Sequence, residues 1–97
     1  MLNLPLKTSK IAASLLKKGF VQKETHHSYY LLFVNGKKTS IRTRLSHGSS
    51  EYGSNLLSMM KKQLSLETME ELEDLINCPM SGEAYVELLL ERNVIKL

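Results

Sequence analysis

At 97 residues the chain is long enough for one domain with a core of its own, needing neither metal nor disulfide support. The single cysteine, Cys78, excludes an internal disulfide. With no long apolar run and no leader-like start, a soluble cytoplasmic protein and no membrane partner are expected. The net charge of +3 hides an asymmetry: residues 1–62 carry 11 Lys/Arg against two acids (+9), residues 63–97 two against eight (−6), so the front half suits a polyanion.

Leu2, Leu4 and Leu6 around Pro5 read as an extended lead-in. Thr8 is the expected N-cap of a helix from about Ser9 to Lys18, with Ile11, Ala12, Leu15 and Leu16 on one face and Lys10, Ser14, Lys17 and Lys18 elsewhere. Gly19 suits the left-handed position after it. Phe20 to Glu24 reads as a short strand. Asn35-Gly36 lies between two runs rich in β-branched and aromatic residues and favours a two-residue type I′ turn. That predicts a hairpin of Ser28 to Val34 with Lys37 to Arg44, and a three-stranded antiparallel meander.

An unbroken register sets Val34 opposite Lys37, Tyr30 opposite Ile41, Tyr29 opposite Arg42, His27 opposite Arg44, His26 opposite Leu45 and Glu24 opposite His47. Lys38, Ser40, Arg42 and Arg44 then share a face with Phe33, Leu31, Tyr29 and His27, and all three histidines gather at the open end of the hairpin. Tyr29 to Val34 is apolar on both faces, so the Leu31/Phe33 side needs cover from the later helices or from a partner.

Ser46 to Gly53 reads as a loop. Ser54 is the expected cap of a helix over Asn55 to Leu64, and Ser65 of a third over Leu66 to Ile76 with Leu66, Met69, Leu72 and Ile76 inward. Ser81 is the expected cap of a fourth over Gly82 to Arg92. Residues 1–66 then form a domain whose charge suits a polyanion, and residues 67–97 an acidic helical extension packed on it, on a second copy or on a partner. Docked that way, its acids would partly screen the basic face.

If the polyanion is RNA, the front half holds residue types suited to metal-free cleavage. A histidine can take the proton of a 2′-OH, a second can act as acid, and Arg or Lys can stabilise charge on the phosphate oxygens. His26 as base, His47 or His27 as acid, and Lys37, Lys38, Arg42 and Arg44 beside the phosphate make one coherent site, with Tyr29 or Tyr30 available for base stacking. The unbroken register sets His26 on the Ile41/Leu45 face and His27 on the basic face; a bulge near Thr25 would exchange them. A zinc site from the three histidines with Glu24 or Glu51 is disfavoured, because adjacent strand residues point to opposite faces, so neither metal nor cofactor is expected.

In order and spacing, Lys18-Gly19-Phe20, Thr25-His26-His27, Asn35-Gly36-Lys37-Lys38, His47-Gly48 and Gly53-Ser54 resemble the HicA toxins over roughly residues 8 to 66. The resemblance implies an α+β fold: an α-β-β-β-α double-stranded-RNA-binding-like domain, here with two further C-terminal helices. It implies ribosome-independent mRNA cleavage (an mRNA interferase of a toxin–antitoxin pair) with no known cofactor and a HicB-like antitoxin as partner. It maps the catalytic histidine to His26. Glu24 stands where the family usually has glycine, which favours the alternative of a non-catalytic RNA-binding or antitoxin-binding module on the same scaffold.

Overall fold

The structure, a computed structural model, describes residues 5–46, 48–77 and 79–96. The chain runs β1 (Leu6–Lys7), α1 (Thr8–Lys17), β2 (Phe20–Glu24), β3 (Ser28–Val34), β4 (Lys37–Leu45), β5 (Glu51–Tyr52), α2 (Ser54–Gln63), α3 (Met69–Asn77) and α4 (Gly82–Glu91). It is an α+β protein whose main sheet is antiparallel in the order β2-β3-β4, with β1 and β5 paired in a separate two-stranded ribbon. Among the described residues, no helix is long and apolar enough to cross a membrane.

Turn chemistry sets much of this. Asn35 and Gly36 both have positive φ (53° and 77°), as a type I′ turn requires, and Gly19 (φ 103°) ends α1 in the left-handed region. Ser65 (φ 59°) does for α2 what Gly19 does for α1. Its N–H donates to the Lys62 carbonyl and that of Leu66 to the Lys61 carbonyl, the paired bonds of a Schellman ending. Ser65 therefore closes α2 instead of capping α3. The cap of α3 is Thr68, whose hydroxyl accepts from the Glu71 N–H at 3.1 Å, and the helix starts at Met69.

Two other expected caps also differ. Lys7 precedes α1 and Thr8 is its first helical residue, because the Thr8 hydroxyl and N–H both reach across to the loop before β5, bonding the Ser49 and Ser50 carbonyls. Gly53, not Ser54, occupies the cap of α2 and makes no side-chain cap bond. Ser81 caps α4 as expected, accepting from the Ala84 N–H at 3.0 Å. The expected Ser46–Gly53 loop contains β5, anchored by Tyr52, which is 5% exposed and accepts from the Ser46 N–H.

The hairpin register is as expected only next to the turn. Val34 faces Lys37 and Phe33 faces Lys38, but Leu31 then faces Arg42, so β4 advances four residues where β3 advances two. Thr39 holds this bulge: its hydroxyl donates to the Leu32 carbonyl at 2.9 Å and accepts from the Ile41 N–H at 3.2 Å. Tyr30 thus faces Thr43 instead of Ile41, and Tyr29 faces Arg44 instead of Arg42. Ser28 closes the ladder on Leu45. Glu24 pairs with Ser28 on β2–β3, its expected partner His47 lying outside the described residues, and His26 and His27 lie in the intervening turn, outside the ladder with β4. The slip is even, so every side chain keeps the face its alternation predicts.

One cluster of buried side chains lies on the helical side of the sheet. It joins Phe20, Tyr30, Leu32, Ile41 and Leu45 to Ile11 and Leu15 of α1, Leu57 and Met60 of α2, Leu72, Leu75 and Ile76 of α3, and Tyr85 and Leu89 of α4. The acidic tail is part of this core. The Tyr85 ring stacks on Phe20 with centroids 6.1 Å apart, and its hydroxyl donates to the Leu64 carbonyl at 2.7 Å. Burial pushes that phenol up from its ordinary range.

Two polar residues expected off the apolar face of α1 are buried beneath the tail: Ser14 donates to the Ile76 carbonyl at 2.5 Å, and the Lys18 ammonium donates to the Met80 carbonyl. Two tail acids, Glu71 and Glu67, meet Arg92 of the tail itself. Glu71 takes the Arg92 guanidinium in a fork at 2.8 and 3.0 Å, and that hydrogen-bonded cation holds its carboxyl down at about 2.

Gly82 shows how close the tail comes. A Cβ there would lie 2.8 Å from the Lys18 carbonyl oxygen, which is backbone and cannot move aside. Gly82→Ala is expected to cost about 1–3 kcal/mol, as over-packing does, and to lower the melting temperature measured by circular dichroism. An unchanged melting temperature would show that the contact between α1 and α4 is loose.

Candidate nucleic-acid interface

Alternation along three strands builds the face turned away from the helices. The register sets Lys23, Tyr29 and Arg44 in one row, and Val21, Leu31 and Arg42 in the next. Phe33 and Lys38 form the row nearest the hairpin turn. The centre is apolar and aromatic; the rim is cationic. Lys23, Lys38, Arg42 and Arg44 are exposed, and Val21 is 45% exposed. Leu31 is only 9% exposed although no helix covers it, because its cross-strand neighbours Val21 and Arg42 flank it and a long stem such as that of Arg can cover apolar surface.

A depression of about 250 Å³ on this face is lined by Lys23, Thr25, Tyr29, Leu31, Lys38 and Arg42, all from the sheet or its β2–β3 turn. No tail residue lines this hollow; the end of the tail, Val94, Ile95 and Lys96, instead lines a separate depression with Lys37, Lys38 and Ser40. The tail buries its apolar stripes on the opposite side, in one cluster with Leu15, Phe20 and Leu64.

The histidines are distributed unevenly. His26 is exposed in the three-residue turn between β2 and β3. His27, half-buried, sets its ring edge-on to Tyr29, with centroids 6.3 Å apart and planes at 82°, so it stands beside the basic face. The turn is tied by the Thr25 N–H donating to the His27 carbonyl at 3.1 Å. Next to it, the Glu24 carboxylate accepts from the Ser28 hydroxyl at 2.7 Å and from the Gln22 amide at 2.5 Å. His47, expected to complete the cluster, lies outside the described residues, as does Cys78. Among the described residues, no three His, Cys, Asp or Glu side chains gather as metal ligands would.

Of the expected RNA-contacting residues, Tyr29, Lys38, Arg42 and Arg44 share the open face. Lys37 does not: it pairs with Val34 at the tip, one residue out of phase, and is absent from the hollow on the open face, although it and Lys38 both line the separate depression beside the tail. Tyr30 is 2% exposed, which removes it as a stacking platform. Burial first, and the Glu24 charge second, raise its phenol above the ordinary value.

Two residues of the site were not anticipated. Lys23 could have been found from its alternation with Val21 and the short turn to β3. Gln63 could not, since only packing carries the end of α2 to the β4 edge, where its amide oxygen accepts from the Thr43 hydroxyl at 2.6 Å.

What this arrangement offers chemically is the half-buried Tyr29 ring for a base inside a cationic rim for phosphates, with the His27 imidazole against that ring and His26 in the adjoining turn. Compared with known proteins, the chain matches no family model, no curated protein and no solved structure.

Proposed function

We propose that the open face of the sheet binds RNA and that the histidines at its edge cleave it without a metal ion, as the HicA resemblance implies, with a HicB-like antitoxin as the cytoplasmic partner that restrains it. The observation that carries the reading is the uncovered face itself, where Tyr29 and Leu31 are bordered by the exposed cations Lys23, Lys38, Arg42 and Arg44. Cations clustered on one face around an aromatic ring are the footprint of a polyanion site, and that clustering supports the reading.

In the reaction, His26 takes the proton from a ribose 2′-OH, and the oxygen attacks the adjacent phosphorus. The bond to the 5′-oxygen breaks, and that oxygen takes a proton from His27 in its imidazolium form. The products are a 2′,3′-cyclic phosphate and a 5′-hydroxyl. Arg42, Arg44 and Lys38 offset the charge that builds on the non-bridging oxygens. The second reading, a binding module without cleavage, is favoured by Glu24, a locked carboxylate next to the turn where the resemblance has glycine.

Binding comes first in either case, and salt tests it. Affinity for RNA is expected to fall steeply as salt rises, through counterion release. Arg42→Ala and Lys38→Ala should each reduce the slope of log K against log salt by about one, with little change in melting temperature. A salt-independent affinity, or none, would remove the RNA reading.

A further inference from the structure

Two depressions share one wall. The first is the 250 Å³ hollow on the open face; the second, about 270 Å³, runs over the β4 edge to Thr43, Arg44 and Gln63, and Tyr29 and Arg42 line both. A chain lying along the first and crossing Tyr29 enters the second. Its polar wall has one character. Gln63 is held in place because its Oε1 accepts the hydroxyl of Thr43, a residue 2% exposed. With its amide oxygen turned to Thr43, Gln63 has its Nε2 donor as the opposite end of the amide, the one available to a ligand. Arg42 and Arg44 are donors only. The Tyr29 ring supplies a face for stacking.

A base carbonyl fits such a wall: O4 of uracil, or O6 beside N7 of guanine, at the ring position where cytosine and adenine carry an amino group. The amino groups of cytosine and adenine would set donor against donor. We propose that the depression over the β4 edge is a base-reading subsite and that Gln63 is its specificity-determining residue, selecting a keto base over an amino base. This rests on the RNA-binding reading above. A phosphate could be held there by the two arginines alone, but it would leave no preference between bases.

Uracil and cytosine test this, since they differ in this group on the same ring frame. The probes are 2′-O-methyl oligouridylate and oligocytidylate of equal length, which lack the nucleophilic hydroxyl, titrated into the full chain by fluorescence anisotropy at one salt concentration. The wild type is expected to prefer oligouridylate by roughly five- to tenfold, the scale of one hydrogen bond. Gln63→Met should abolish the preference. Gln63→Glu, which still accepts from Thr43 and so preserves the fold if the methionine variant does not, should reverse it while weakening both oligonucleotides through its charge.

Equal wild-type affinities, or a preference that survives both substitutions in chains folded by circular dichroism, would overturn base reading and leave a phosphate contact. Failure of the wild type to bind either probe would overturn the RNA reading itself, and this inference with it.

Discussion

Truncation after Leu66 is expected to unfold the protein, not merely to trim it. The removed segment contributes Leu72, Leu75, Ile76, Tyr85 and Leu89, each no more than 1% exposed, and Ile95 at 6%. Each such side chain contributes roughly 1.5–3 kcal/mol by burial, while a whole domain is stable by only about 5–15 kcal/mol. The loss also opens Leu15 and Phe20 to water and deprives the buried Ser14 hydroxyl and Lys18 ammonium of the Ile76 and Met80 carbonyls. A milder probe keeps the prediction measurable if the truncated chain cannot be purified: Leu75→Ala should cost about 2–5 kcal/mol. At roughly 4–8 °C per kcal/mol for a chain of this size, that is a fall of at least several degrees in thermal denaturation. A truncated protein that melts cooperatively at the wild-type temperature would make the tail an independent appendage.

His26→Ala is expected to reduce RNA cleavage by about 10²–10⁴-fold, the usual contribution of a positioned general base, and to leave RNA affinity and melting temperature nearly unchanged. His26 is exposed in a turn, so its removal leaves no cavity. His27→Ala should lower cleavage as well, and the two substitutions together should cost less than the sum of their separate effects, because an acid and a base acting in one step are not independent. Cleavage is measured on a defined RNA by gel, with affinity measured in parallel. Wild-type rates in His26→Ala with a large loss in His27→Ala would transfer the base role to the histidine that stands on Tyr29. Wild-type rates in both would leave the binding module as the surviving reading. Cleavage should persist in EDTA; full loss restored by zinc would assign the chemistry to a metal.

Several elements were legible in the sequence because their determinants are local. Phe20–Glu24, the Asn35-Gly36 turn and the Ser81 cap follow from steric preferences of a few neighbouring residues, and α1 to α4 follow from apolar spacing. The composition of the open face was legible as well, for a subtler reason. The bulge at Thr39 shifts β4 against β3 by an even number of residues, so Arg42 and Arg44 stay beside Leu31 and Tyr29 even though their partners change.

The rest depended on contacts between distant parts of the chain. The bulge exists because the Thr39 hydroxyl bridges two backbone groups, which no alternation pattern reveals. Ser65 reads equally well as the start of α3 or the end of α2, and its left-handed backbone, with the N–H groups of Ser65 and Leu66 bonded back to Lys62 and Lys61, decides for the end of α2. The side on which the tail packs was open as well, because its apolar stripes would suit either face of a strand that is apolar on both. It went to the side where α1 had already assembled Ile11, Leu15 and Phe20, since burial is proportional to the apolar area available and carries no direction of its own. That choice left the other face, with its cations and its histidines, exposed to solvent.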